Sequence, residues 1–163
     1  MRDLSKKNLK SNFNIILFQP KIPPNTGNII RLCSNTNSSL HLIKPLGFEI
    51  DDKSLRRAGL DYYKNIIVEE HESIQSCLKF LGSTNLYLVT KFGQIKYSEK
   101  KYKLGDSLLF GSEDTGLPQK LLNETNDNDK VYIPMNTNNR SLNLSNAVSI
   151  CVYEAWKQNN FKS

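Results

Sequence analysis

Short apolar runs stopped by proline or glycine alternate with stretches of helical periodicity, and this alternation restricts the chain to an α/β sheet. Residues 14–18 read as a first strand, closed by Pro20 and the Pro23-Pro24 pair. A helix fits 26–36, with Ile29, Ile30, Leu32 and Cys33 on its apolar side and Asn25 as N-cap. Further strands are expected at 40–43, 65–68, 86–90, 107–110 and 131–133, with helices at 54–59 and 73–81. A last helix over 143–158 places Leu144, Val148, Cys151 or Val152, and Ala155 on one packed face.

At 163 residues, with 38% hydrophobic and 23% charged residues, the chain suits one domain with its own core and not a disordered polymer. Residues 13–160 are read as that single domain. Residues 1–12 carry Arg2, Lys6, Lys7 and Lys10 without an apolar segment behind them, so they read as a flexible basic tail and not as a secretory signal. The longest apolar run, Ile15 to Phe18, is far too short to span a bilayer. Cys33, Cys77 and Cys151 lie far apart, no CxxC is present, and His41 and His71 stand isolated. Neither a disulfide framework nor a metal site is expected, and the compartment is read as a reducing cytoplasm. The net charge of +6 does not by itself call for nucleic acid, since a solvated lysine face is the default. Its densest patches, Arg56 with Arg57 and the five lysines from Lys91 to Lys103, are a surface that could track phosphates.

Three clusters are candidates to carry chemistry, and each also reads as ordinary structure: a capped helix with an exposed arginine, a strand-turn-helix, and a capping loop. The first runs from Pro23 to Arg31, where Gly27 precedes Arg31 by one helical turn. The second, Leu109 to Pro118, has two glycines at phosphate-loop spacing, but Leu117-Pro118 replaces the lysine and hydroxyl residue, and Glu113 and Asp114 would repel a triphosphate. A nucleoside triphosphatase is excluded, and no GxGxxG supports a dinucleotide site. Gly111 is expected to be glycine so that a ligand can approach its backbone. The third, Ile133 to Ala147, is dense in asparagine and serine around Arg140, which suits helix capping and also an uncharged polar ligand such as a nucleoside.

Taken in this order, the stretches "IPPNTGNIIRLC", "DDKSLRRAGLDYY", "LLFGSEDTGLP" and "IPMNTNNRSLNLSNAVSICVYEAW" resemble the SPOUT class of RNA methyltransferases. The nearest likeness is to the TrmL-type tRNA (cytidine/uridine-2′-O)-methyltransferases of the wobble position, and it covers residues 13–158. The resemblance implies a mostly parallel sheet flanked by helices, with a C-terminal trefoil knot. It also implies S-adenosyl-L-methionine as methyl donor, S-adenosyl-L-homocysteine as product, no metal, a homodimer and the tRNA anticodon stem-loop as partner.

By the same resemblance Asn28 and Arg31 are the catalytic positions. Leu88, Gly111, Glu113, Ile133, Ser141, Leu142 and Ser145 are the cofactor positions. Arg56, Arg57, Lys91 and Arg140 face RNA, and Tyr153 contacts the partner subunit. A guanidinium keeps its proton in proteins, so Arg31 is assigned to holding a phosphate or stabilising a forming 2′-oxyanion, not to proton abstraction. Two other readings stay open at this point: 2′-O-methylation of ribosomal RNA, and a non-catalytic RNA-binding module of the same fold.

Overall fold

In the computed structural model, residues 10–49 and 66–162 are described. Among these residues seven strands form one sheet in the order β3-β2-β1-β6-β4-β7-β5, and their pairings are all parallel. They are β1 (Asn14–Phe18), β2 (Ser39–Ile43), β3 (Val68–His71), β4 (Leu86–Val89), β5 (Ile95–Lys96), β6 (Ser107–Phe110) and β7 (Lys130–Tyr132). The helices are α1 (Pro23–Asn35), α2 (Ile74–Leu81), α3 (Gln119–Glu124) and α4 (Leu144–Gln158), with a 3-10 turn at Asp127–Asp129.

Helices on both faces explain why the central strands are apolar on both faces. Ile15, Leu17, Leu40, Leu42, Leu108 and Phe110 point to one side, against Ile29, Cys33 and the α4 residues Val148, Cys151 and Val152. Ile16, Ile43, Leu88 and Leu109 point to the other, where α2 and α3 contribute Ile74, Cys77 and Leu122. All three cysteines are free and buried. Among the described residues no helix is long and apolar enough to cross a membrane.

Several boundaries differ from expectation. α1 begins at Pro23, not Thr26, because two prolines occupy its first positions, where their missing N–H groups cost nothing. Its N-cap is Ile22, without a side-chain cap, so Asn25 is not the cap. β3 lies at Val68–His71 and not at 65–68, an edge strand whose outward Glu69 and Glu70 mask the apolar pattern. The two-residue β5 went unread, while α3 follows Pro118, which suits the first turn of a helix and here is its N-cap. Asn12, assigned to the flexible tail, is buried, and its Nδ2 donates to the Thr36 carbonyl at 2.9 Å. The expected helix over 54–59, with Arg56 and Arg57, lies outside the described residues.

Local signals set the remaining ends. Ser73 and Ser76 cap α2 reciprocally, each hydroxyl accepting the other's backbone amide at 3.1 Å. Asn143 caps α4, its Oδ1 accepting from the Ser145 amide at 2.9 Å and from the Ser145 hydroxyl at 2.7 Å. β7 is inserted between β4 and β5, two strands that precede it in the chain. The turn joining β4 to β5 crosses β7 so closely that a Cβ on Gly93 would lie 2.5 Å from the Val131 carbonyl carbon.

Candidate active site

Open parallel sheets bind ligands beyond the carboxyl ends of their strands. Here the neighbouring strands β6, β4 and β7 end together, and a cleft of about 420 Å³ opens beyond them. Val89 and Thr90 at the end of β4, Phe110 and Gly111 at the end of β6, and Ile133 after β7 line it. Leu142, Asn143 and Leu144 close it from the start of α4, and Ile22 and Asn25 from the start of α1. The walls therefore mix apolar side chains with neutral polar groups and the charged Lys91, Glu113 and Asp114.

The loop after β6 is a rigid turn. Ser112 and Gly116 exchange backbone hydrogen bonds of 2.9 and 3.2 Å, and Asp114 Oδ1 accepts from the Ser112 hydroxyl and the Thr115 amide. The Lys21 ammonium, 2.6 Å from Asp114 Oδ2, holds that carboxyl well below the usual carboxylate range. Gly116 supplies the left-handed backbone at φ +67°. A Cβ on Gly111 would lie 2.3 Å from the Gly116 carbonyl carbon and 2.5 Å from the Leu117 nitrogen. Glycine is thus required at 111 by the turn folding back on itself, which corrects the expectation that ligand approach alone demands it.

Glu113 ties this turn to the first motif. Its Oε2 accepts from the Lys21 amide at 2.8 Å, and its Oε1 accepts from the Ile22 amide and from Asn25 Nδ2, each at 3.1 Å. A carboxylate at the amino end of α1 also meets the favourable end of the helix dipole. Asn25 Oδ1 in turn accepts from Asn143 Nδ2 at 2.9 Å. One chain of hydrogen bonds, Glu113–Asn25–Asn143, therefore links all three motifs. Glu113 reaches the cleft wall, but both its oxygens are engaged by protein donors, so it shapes the site where a ligand contact was expected.

Among the other expected positions, Gly111, Ile133, Ser141, Leu142 and Lys91 line the cleft. Leu88 does not: it is fully buried in the core under α2 and α3, and Val89 and Thr90 present the end of β4 instead. Ser145 is buried beneath the α4 cap and also stays off the cleft wall. Asn28 and Arg31 are exposed one turn apart on α1 and are not part of the lining. Arg140 is exposed on the loop before Ser141, and Lys91 stacks its ammonium 5.1 Å from the Phe92 ring. Tyr153 is exposed on α4 and meets Trp156 edge to face, and Trp156 meets Phe161 in the same way.

Sequence reasoning missed Asn25 and Asn143 as site residues. Both stood inside the quoted motifs, but asparagine before a helix reads first as a cap, and the partner that gives Asn25 its role lies 88 positions away.

Comparison with known proteins gives the following. Residues 12–153 match the SpoU rRNA Methylase family. A tRNA (cytidine(34)-2′-O)-methyltransferase of Yersinia pestis is 53% identical over 150 residues, covering 89% of this chain and 93% of that one. The protein of that name from Escherichia coli (strain K12) is 50% identical over 145 residues, covering 89% and 92%. A solved structure described as "Structural insights into the 2-OH methylation of C/U34 on tRNA" superposes with a TM-score of 0.85 at 36% identity, covering 92% of this chain and 97% of that one.

Proposed function

The chain belongs to the SpoU rRNA Methylase family, and on that premise we propose that it methylates the ribose 2′-hydroxyl of nucleotide 34, a cytidine or uridine, in tRNA. The observation that carries this reading is the convergence of the three motif loops on one cleft, fastened by the Glu113–Asn25–Asn143 chain.

The cleft fits S-adenosyl-L-methionine. Its volume falls in the range of about 300–1,000 Å³ usual for small-molecule sites. Val89, Phe110, Ile133 and Leu142 offer apolar surface for a purine, while Ser141, Asn143 and strand-end backbone offer donors and acceptors for the ribose and amino-acid ends. Bound there, the cofactor supplies a methyl group on a sulfonium. Gly111, Ile133, Ser141 and Leu142 hold it, Glu113 keeps the wall in place, and Leu88 and Ser145 support that wall from behind.

Arg31 and Asn28 serve the nucleotide. A charged guanidinium holds the target phosphate or stabilises the 2′-oxygen as its negative charge develops, and pre-placed donors of this kind act most strongly where charge appears. Lys91 and Arg140, with Arg56 and Arg57, contact tRNA phosphates, which position the anticodon stem-loop without reading its sequence. Two protomers pair through α1 and α4, with Tyr153 in the contact, so that each site draws on its partner. Exposed Tyr153 and Phe161 flank the partly buried Trp156 edge to face and support this, since aromatic residues are enriched at interfaces. The insertion of β7 beneath the β4–β5 turn supports a trefoil knot, and a tRNA substrate supports a cytoplasmic location.

Methyl-labelled S-adenosyl-L-methionine offered with unmodified tRNA and, separately, with ribosomal RNA tests the substrate class. Label should enter tRNA. Label in ribosomal RNA alone, or in neither, contradicts the assignment.

A further inference from the structure

On the α2 side of the sheet, at the β2–β3 edge and away from the cleft, three buried side chains of metal-ligating type meet. β2 and β3 run parallel with Ile43 opposite His71, so His41, two residues earlier on β2, shares the His71 face. α2 lays Cys77 over both. His41, His71 and Cys77 are 1%, 8% and 0% exposed, and one ligating atom from each lies within 4.8 Å of the other two. The Phe80 ring, half exposed, covers the pair with centroids 5.9 and 5.4 Å from the two imidazoles.

The hydrogen bonds around His41 set which nitrogen carries its proton. Asn14 Nδ2 donates to the Gly105 carbonyl at 2.9 Å and to Ser107 Oγ at 3.2 Å, which leaves Asn14 Oδ1 as an acceptor. Ser39 donates its hydroxyl proton to that oxygen at 2.9 Å. Its oxygen then accepts from His41 Nε2–H, also at 2.9 Å. His41 Nδ1 is left with a lone pair aimed at His71 Nε2, 3.0 Å away. A ligating histidine whose far nitrogen is fixed by an outer hydrogen bond is the usual arrangement around bound zinc.

We propose that His41 Nδ1, His71 Nε2 and Cys77 Sγ bind a divalent transition cation of the zinc class, with water as the fourth ligand. Two imidazoles and a thiolate are a zinc-type donor set. Tetrahedral zinc with ordinary bond lengths places two ligating nitrogens about 3.4 Å apart, and a nitrogen and a sulfur about 3.6 Å apart. The 3.0 Å nitrogen pair opens slightly, and Cys77, whose sulfur starts within 4.8 Å, closes by at most about 1.2 Å, within reach of a side-chain rotation. Binding forms two metal–nitrogen bonds and one metal–sulfur bond. The Cys77 thiol proton leaves to solvent, the His71 ring proton moves from Nε2 to Nδ1, and nothing is oxidised or reduced. The cation pins β2, β3 and α2 together and takes no part in methyl transfer.

Cobalt(II) is the probe. Titrated into chelator-stripped full-length protein, one equivalent should give the visible absorption of tetrahedral cobalt with a thiolate charge-transfer band, and zinc should bleach both. Cys77→Ser should lose the charge-transfer band and bind zinc about 100-fold more weakly. Ser39→Ala should weaken binding about 10- to 100-fold, as loss of such an outer partner does. Absence of tetrahedral cobalt, or a thiolate band that survives in Cys77→Ser, overturns the site and leaves the histidines as a buried hydrogen-bonded pair. If Cys77→Ser does not fold, X-ray absorption of the zinc-loaded wild type decides: sulfur with nitrogen ligation supports the site, and ligation by nitrogen and oxygen alone refutes it.

Discussion

Asn25 donates its side-chain amide to Glu113 at 3.1 Å across 88 positions of sequence, and this bond joins the start of α1 to the turn after β6. The same carboxylate takes two backbone amides, so three donors converge on one side chain whose value to the site is architectural.

Glu113→Gln keeps the shape but turns an amide N–H₂ toward those donors. Leaving a partly buried donor unpaired costs about 1–3 kcal/mol. Denaturant unfolding should show that loss. Binding of S-adenosyl-L-homocysteine, measured by calorimetry, should weaken about tenfold or more, since about 1.4 kcal/mol corresponds to tenfold. Wild-type values for both would remove Glu113 from the architecture of the cleft.

The two glycines of the same turn should respond in a definite order. Gly111→Ala drives a Cβ into the Gly116–Leu117 backbone, an overpacking expected to cost about 3 kcal/mol. Gly116→Ala has open space around its Cβ and meets only the left-handed backbone, a cost of about 1–2 kcal/mol. Unfolding midpoints that rank Gly116→Ala as the more damaging would show that the turn is not closed as described.

Asp114 reports on the turn through its titration. Its carboxyl lies below the usual range because of Lys21, so the contribution of the pair to stability is present above about pH 3.9, the ordinary aspartate value, and is lost as acid titrates the folded carboxylate. Both partners are about half exposed, so global stability should change little. Carboxyl-carbon NMR should find a depressed midpoint that rises toward about 3.9 in Lys21→Met. An unmoved midpoint would rule out Lys21 as the cause.

How much of this was legible in the sequence follows from the range of the interactions involved. β1 and β6, buried on both faces, are continuous apolar runs bounded by polar residues, and their ends were read without error. α2 and α4 were read to within one residue because Ser73 and Asn143 cap them with local hydrogen bonds. β3 was misplaced because two glutamates face outward on an edge strand, and β5 is too short to show any period. The motifs marked the cleft, but not which residues fasten it, because the Asn25 bonds run to residues far along the chain. His41 and His71 read as isolated for the same reason. Thirty positions separate them, and only the β2–β3 register makes them neighbours.

Arg31 should separate turnover from cofactor binding. It is not part of the cleft lining of its own chain, so Arg31→Ala should leave S-adenosyl-L-homocysteine affinity unchanged. Single-turnover methyl transfer should fall about 10²–10³-fold, the usual loss for one stabilising donor. Arg31→Lys keeps the charge without the bidentate fork and should fall between the two. Equal loss of binding and turnover would place Arg31 in the cofactor site instead.

The central claim is one methyl group at one ribose. Wild-type protein, S-adenosyl-L-methionine and unmodified tRNAs bearing cytidine or uridine at position 34 are incubated together, and the modified nucleotide is located by nuclease digestion and mass mapping. The account predicts a single 2′-O-methyl group at nucleotide 34, absent when that ribose lacks its 2′-hydroxyl. Methylation of a base, or of any other ribose in the tRNA, would contradict it.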